Sequence, residues 1–86
     1  MNISRHEQRV LHELARGGQI RHVRNDTGKI TKVLCVTHDG SILSDCTLSL
    51  FQRLRRRGLI ASKNGAPYRI SPLGIGSVRA QANNRG

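Results

Sequence analysis

Four arginines fall within five residues at Arg53, Arg55, Arg56 and Arg57, and the next residue is Gly58. Guanidinium groups are planar, always charged, and donate bidentate hydrogen bonds to phosphate or carboxylate, so the chemistry they suggest is anion recognition. The competing reading is a solvated helix end, since cations in a last helical turn complement the helix dipole by roughly 0.3 to 1 kcal/mol each. That account suffices for one or two of the four. The balance moves toward a binding surface because the same sign recurs along the chain: Lys and Arg number 15 against 5 acids, a formal charge of +10. A field of that strength on a small body attracts polyanions and acidic protein faces.

Other reactive side chains point less clearly to chemistry. His6, His12, His22 and His38 show no helical pairing with a nearby third ligand, so a zinc site is not expected. His22 reads as a half-buried, hydrogen-bonded strand residue. Cys46 lies in "SDCTL", where a helix N-terminus could lower a thiol pKa. No base stands nearby to activate it, so a buried thiol is the stronger reading. Cys35, alternating in a strand, reads as a small core residue. The two cysteines make no disulfide framework. Acid–base cleavage of RNA would need a donor and an acceptor held together, which the spacing of His22, His38 and Arg69 does not provide, and two aromatic residues, Phe51 and Tyr68, offer little for stacking on single strands. The expectation is a protein without catalytic residues, cofactor or metal.

The elements that must position these residues are legible from period and punctuation. At 86 residues the chain has room for one core and reads as one domain, 1–86. No apolar window reaches the length of a membrane span and the N-terminus lacks a signal-peptide core, so a cytoplasmic location without membrane contact is expected. Ser4 and Glu7 form a capping box that opens a helix with Val10, Leu11 and Leu14 as its buried stripe; Gly17 and Gly18 end it. Its opposite side carries Arg5, Arg9, His12 and Arg16, a secondary basic stripe.

From Gln19 to Thr37, alternation broken by "NDTG" predicts a β-hairpin, with Ile30, Leu34 and Val36 on one side and Val33 and Cys35 on the other. Lys29 and Lys32 fall on the exposed side. A second turn at "THDG" leads to a helix over Cys46–Arg57, capped by Ser44 or Asp45. Leu48, Phe51 and Leu54 form its seam; Ser49, Gln52, Arg53 and Arg56 form a polar, basic stripe opposite. "LIASK", "NGAP" and "YRI" then read as a short hairpin, and Ser71 caps a last helix that starts at Pro72 and includes Leu73 and Val78. Gly74 and Gly76 weaken it, and residues 81–86 read as a frayed tail.

This order predicts an α+β, winged-helix-like domain with an extra β-hairpin after the first helix. The second helix and wing would then present Arg53, Arg56, Arg57, Lys63, Asn64 and Arg69, with Arg5, Arg9 and Arg16 as a second basic set. Double-stranded DNA is one partner such a face would suit.

Four segments, "SRHEQRVLHELARGGQIRHVR", "LSDCTLSLFQRL", "NGAPYRIS" and "VRAQANNR", together resemble the small bacterial YjhX-type toxins over essentially the whole chain. The resemblance implies the toxin of a toxin–antitoxin pair, a non-enzymatic protein that inhibits DNA topoisomerase I by direct binding and is neutralised by a cognate antitoxin. It assigns no site residues. A DNA-binding regulator is the alternative that charge and element order leave open.

Overall fold

A computed structural model describes the backbone of residues 3–83 and the side chains of residues 3–78. The element order is α1 (Arg5–Ala15), β1 (Gln19–Arg24), β2 (Ile30–Val36), β3 (Ile42–Leu43), α2 (Leu48–Arg56), β4 (Ile60–Ala61), β5 (Arg69–Ile70) and α3 (Pro72–Asn83). The architecture is α+β, with three helices and antiparallel strands.

Local chemistry sets both ends of α1. The Ser4 hydroxyl accepts from the Glu7 amide at 3.2 Å while the Ser4 amide donates to Glu7 Oε1 at 3.0 Å, completing the capping box. At the other end the Gly18 amide donates to the Glu13 carbonyl at 3.0 Å and the Gly17 amide to Leu14 at 3.1 Å, the paired bonds of a Schellman stop. The same device closes α2: Leu59 donates to Leu54 and Gly58 to Arg55, each at 3.0 Å, with Gly58 at φ +75°. Leu54 and Leu59 are both buried behind this turn.

The α2 start differs from expectation. Its cap is Thr47, whose hydroxyl accepts from the Leu50 amide at 3.2 Å, and Cys46 precedes the helix. Ser44 and Asp45 are not available as caps because Ile42 and Leu43 pair with Val36 and Cys35 as a third strand, and the Asp45 carboxylate turns to α1. Leu50, Phe51 and Leu54 are the fully buried seam; Leu48 packs at its margin.

β1 and β2 pair as expected, but a bulge shifts the register. Val23 faces Lys32 and Arg24 faces Ile30, leaving Thr31 as the extra residue. Strict alternation would put Ile30 beside Leu34; the bulge instead turns Ile30 into the core on the side of Cys35, while Leu34 stands exposed.

The sheet order is β1-β2-β3, and β4-β5 forms a separate two-stranded ribbon. A bridge joins the two: the Ile20 and Tyr68 backbones exchange both hydrogen bonds at 2.8 Å. The hairpin and the ribbon therefore share one continuous surface. At the ribbon tip Asn64 and Gly65 adopt φ +55° and +78°, and the Ala66 amide donates to the Lys63 carbonyl at 3.0 Å, the geometry that favours Asn-Gly.

Ser71 fastens α3. Its hydroxyl donates to the Gly58 carbonyl at 2.6 Å and accepts from the Gly74 amide at 3.1 Å. Gly74 is no weakness here: a Cβ at that position would lie 2.3 Å from the Leu59 carbonyl oxygen, so its absence lets the helix approach the chain after α2. The helix continues through Asn83 and so includes Gln81, Ala82 and Asn83 of the segment read as a tail; residues 84–86 lie outside the described residues.

One cluster forms the core: Val10, Leu11 and Leu14 from α1, Ile20, Ile30 and Cys35 from the sheet, Leu50, Phe51 and Leu54 from α2, and Leu59, Ile60, Tyr68 and Val78 beyond it. Tyr68 meets Phe51 edge-on, with centroids 4.9 Å apart.

Candidate anion-binding face

The arginine run splits by function as soon as α2 is packed. Glu7, 3 % exposed, lies beneath Arg53 and Arg57: its Oε2 is 3.7 Å from Arg53 Nε and 3.6 Å from Arg57 Nη1. Burial pushes the Glu7 carboxyl upward, but the hydrogen bonds from Ser4 and the charges of Arg57 and Arg53 outweigh it and hold the pKa below the usual carboxylate value. Arg53 and Arg57 thus serve to fasten α2 to α1. Arg53, half-exposed, retains part of its surface for a partner.

Arg55 and Arg56 are turned the other way. Together with Gln52 they line one shallow concavity, at the i, i+3, i+4 spacing that places three side chains on one helix side. The Arg55 guanidinium carbon stands 6.0 Å from the centroid of the Tyr68 ring, at the outer limit of cation–π attraction. Arg55 and Tyr68 were not among the residues expected to bind. The 52/55/56 spacing is the signal that could have identified Arg55; the approach of Tyr68 required the tertiary fold.

Lys63 and Arg69 also come together, along a second concavity bounded by Gln19, Pro67 and Pro72. The Arg69 guanidinium donates to Gln19 Oε1 at 3.4 Å, tying the ribbon to the start of β1. Asn64 sits exposed at the ribbon tip, where its backbone makes the turn. The expected six-residue set is therefore distributed: Arg56 on the α2 concavity, Lys63 and Arg69 on the ribbon, Asn64 at the tip, and Arg53 and Arg57 over Glu7.

The secondary stripe on α1 is largely paired with acid. Arg9 Nε lies 4.0 Å from Asp45, His6 Nδ1 3.1 Å from the same carboxylate, and Arg16 3.4 Å from Glu13; Arg5 is exposed. Asp45 and Glu13 thus serve this stripe, Glu7 serves Arg53 and Arg57, and the other two acids, Asp26 and Asp39, occupy turns. After Asp45 the sequence contains no acid and eight cations, so the half that builds α2, the ribbon and α3 is uniformly positive. A polyanion or an acidic protein surface meets only positive charges from these elements, and the acids nearest α2 are already paired, Glu7 with Arg53 and Arg57, and Asp45 with His6 and Arg9.

The remaining candidates take structural places. Cys35 and Cys46 are both buried, and their shared hydrogen bond and burial push the Cys46 thiol above the ordinary cysteine range, away from nucleophilic activation. His22 stacks edge-on against Tyr68 at 5.2 Å, but its buried Nδ1 has no hydrogen-bond partner, contrary to the expected satisfied strand histidine. Among the described residues no group of three His, Cys, Asp or Glu is disposed to hold a metal, and no helix is long and apolar enough to cross a membrane.

No solved structure gives a significant match. Among curated proteins, this chain is similar to UPF0386 proteins of Beijerinckia indica, at 62 % identity over 85 residues covering 99 % of this chain and 100 % of the relative. Another, of Rhodospirillum rubrum, is 60 % identical over 86 residues, covering 100 % of this chain and 96 % of the relative. One of Brucella anthropi is 61 % identical over 85 residues, covering 99 % and 100 %. A family model, YjhX toxin, described as a "putative toxin of bacterial toxin-antitoxin pair", matches residues 1–85. With the match running through both concavities and the whole core, the chain belongs to the YjhX toxin family.

Proposed function

We infer that this protein acts in the bacterial cytoplasm as a non-enzymatic toxin that binds and inhibits DNA topoisomerase I, and that a cognate antitoxin relieves the inhibition. The target is the one implied by the family resemblance. The observation that carries the binding mode is the Gln52, Arg55 and Arg56 concavity, set in a half of the chain that contains no acid. In this reading α2 is the presented helix of a winged-helix-like body and the β4–β5 ribbon is its wing. Arginines displayed this way match an acidic protein surface, or compete for a groove that otherwise receives nucleic-acid phosphates.

The test is affinity capture from nuclease-treated bacterial lysate with the wild-type chain and with Arg55→Glu/Arg56→Glu, followed by supercoil relaxation with the purified enzyme. The wild type is expected to retain topoisomerase I and to block relaxation. The double variant should lose both while keeping a cooperative melt, because Arg55 and Arg56 are exposed and lie outside the core, and the lost helix-dipole attraction costs only roughly 0.3 to 1 kcal/mol for each cation removed. Absence of the enzyme from the captured fraction, with tight binding to bare duplex whose log affinity falls by roughly 0.9 per contacted phosphate with log salt, would assign the face to DNA instead.

A further inference from the structure

The three-stranded sheet has two sides, and among the described residues only one is packed. Ile20, His22, Val33, Cys35 and Leu43 point toward α1 and α2; the alternate positions point away. On that outer side Val23 is 56 % exposed, Leu34 42 % and Ile42 55 %, three of the five large exposed apolar side chains among the described residues. The register sets them among cations: Arg21 stands directly opposite Leu34, and Lys32 opposite Val23, with Ile42 opposite Val36. No acid occurs in any of the three strands; Asp26 and Asp39 sit in the turns at the two ends. Aliphatic side chains set among positive ones on a sheet offer an amphipathic acidic segment both apolar burial and charge pairing.

We propose that this outer sheet face is the docking site for an acidic, aliphatic-bearing segment of a protein partner, the neutralising antitoxin. Only the name of the partner rests on the toxin reading; its chemistry rests on the face. A second copy of the chain is the weaker fit, because a two-fold pairing of identical faces would bring Arg21 and Lys32 against their own counterparts with no acid between them. The site is also separate from the arginine concavity, since α2 packs on the inner side of the sheet through Phe51 and Leu54 while Gln52, Arg55 and Arg56 face outward from the helix. Target and antitoxin would then occupy different faces, and neutralisation would proceed with the antitoxin bound away from the inhibitory arginines.

The test uses the purified full chain, isotopically labelled for amide NMR, and a synthetic helical peptide of glutamate and leucine with the leucines at helical spacing. A control peptide carries serine at every leucine position. The leucine peptide is expected to shift amides of Arg21–Arg24, Lys32–Val36 and Ile42–Leu43 and to remain bound in high salt; the serine peptide should bind only in low salt. Leu34→Thr/Ile42→Thr puts strand-compatible threonine at both positions and should weaken the leucine peptide by about tenfold or more, in line with the loss of two buried aliphatic groups. Arg21→Glu/Lys32→Glu should weaken it as well. Equal binding of both peptides, or shifts centred on Gln52, Arg55 and Arg56, would overturn the proposal. So would a dimer of the free chain in sedimentation that Leu34→Thr/Ile42→Thr dissolves, since a second copy would then own the face. Growth arrest on expressing the wild-type chain is scored separately: its absence removes the toxin reading and leaves the peptide result to decide the surface.

Discussion

Glu7 shows how one buried carboxylate can redirect a charged surface. It completes the cap of α1 through Ser4 and lies under Arg53 and Arg57, so two of the four clustered arginines act in part as internal fasteners. Folding lowers the Glu7 pKa, so the sign is that of a stabilising carboxylate: its contribution is complete above the unfolded-chain value, roughly pH 4.3, and drains away as pH falls through the lower folded value. Thermal melts of wild type and Glu7→Gln across acid pH should therefore converge as the solution is acidified, with wild type the more stable near neutrality. Melting curves that stay parallel down to pH values well below the carboxylate range would mean that Glu7 is not held ionised by these partners.

At the scale of elements, the two glycines of α3 make opposite predictions although both sit inside a helix. Glycine in a helix interior ordinarily costs about 1 kcal/mol relative to alanine. Gly76→Ala, with open space where the Cβ would go, should stabilise the protein by up to about that amount. Gly74→Ala should destabilise it by about 1 to 3 kcal/mol, because the new methyl would press on the Leu59 carbonyl and the Ile70 side chain. Urea denaturation of the two variants beside wild type measures both signs at once. A stabilised Gly74→Ala variant would show that α3 does not approach the chain after α2 as closely as described. The contact matters to the binding face, since the same junction holds Ser71 on the Gly58 carbonyl and so fixes the angle between α2 and the ribbon.

For the molecule as a whole, a single apolar cluster carries helices, sheet and ribbon together. Phe51 sits at its centre, fully buried and edge-on to Tyr68. Phe51→Ala is expected to cost about 3 to 5 kcal/mol, against a total stability of roughly 4 to 13 kcal/mol for a chain of this length. Circular dichroism should accordingly show either a large fall in melting temperature or a chain without a cooperative transition. A drop of only a degree or two would mean that the core is redundant around Phe51. Because Tyr68 meets Phe51 and His22 edge-on, lies beneath the Arg55 guanidinium and pairs its backbone with Ile20, loosening this point would disturb the α2 concavity and the sheet together.

Sequence alone determined what depends on neighbours a few residues apart. The Ser4–Glu7 box, the glycine stops after both amphipathic helices, the Asn64–Gly65 turn and the Ser71 cap at Pro72 are local bonds or local dihedral requirements, so the residue types announce them. The excess of positive charge is likewise a property of composition. What tertiary structure decided was the direction of each charge and the face of each strand. Whether Arg53 points to solvent or to Glu7 depends on how α1 crosses α2. Thr47 rather than Asp45 caps α2 because a third strand and an α1 contact take the residues before it, and Leu34 rather than Ile30 is exposed because a bulge changes the parity of β2. Those outcomes are set by packing between segments distant in the chain, where several local preferences are equally satisfied and only the shared core selects among them.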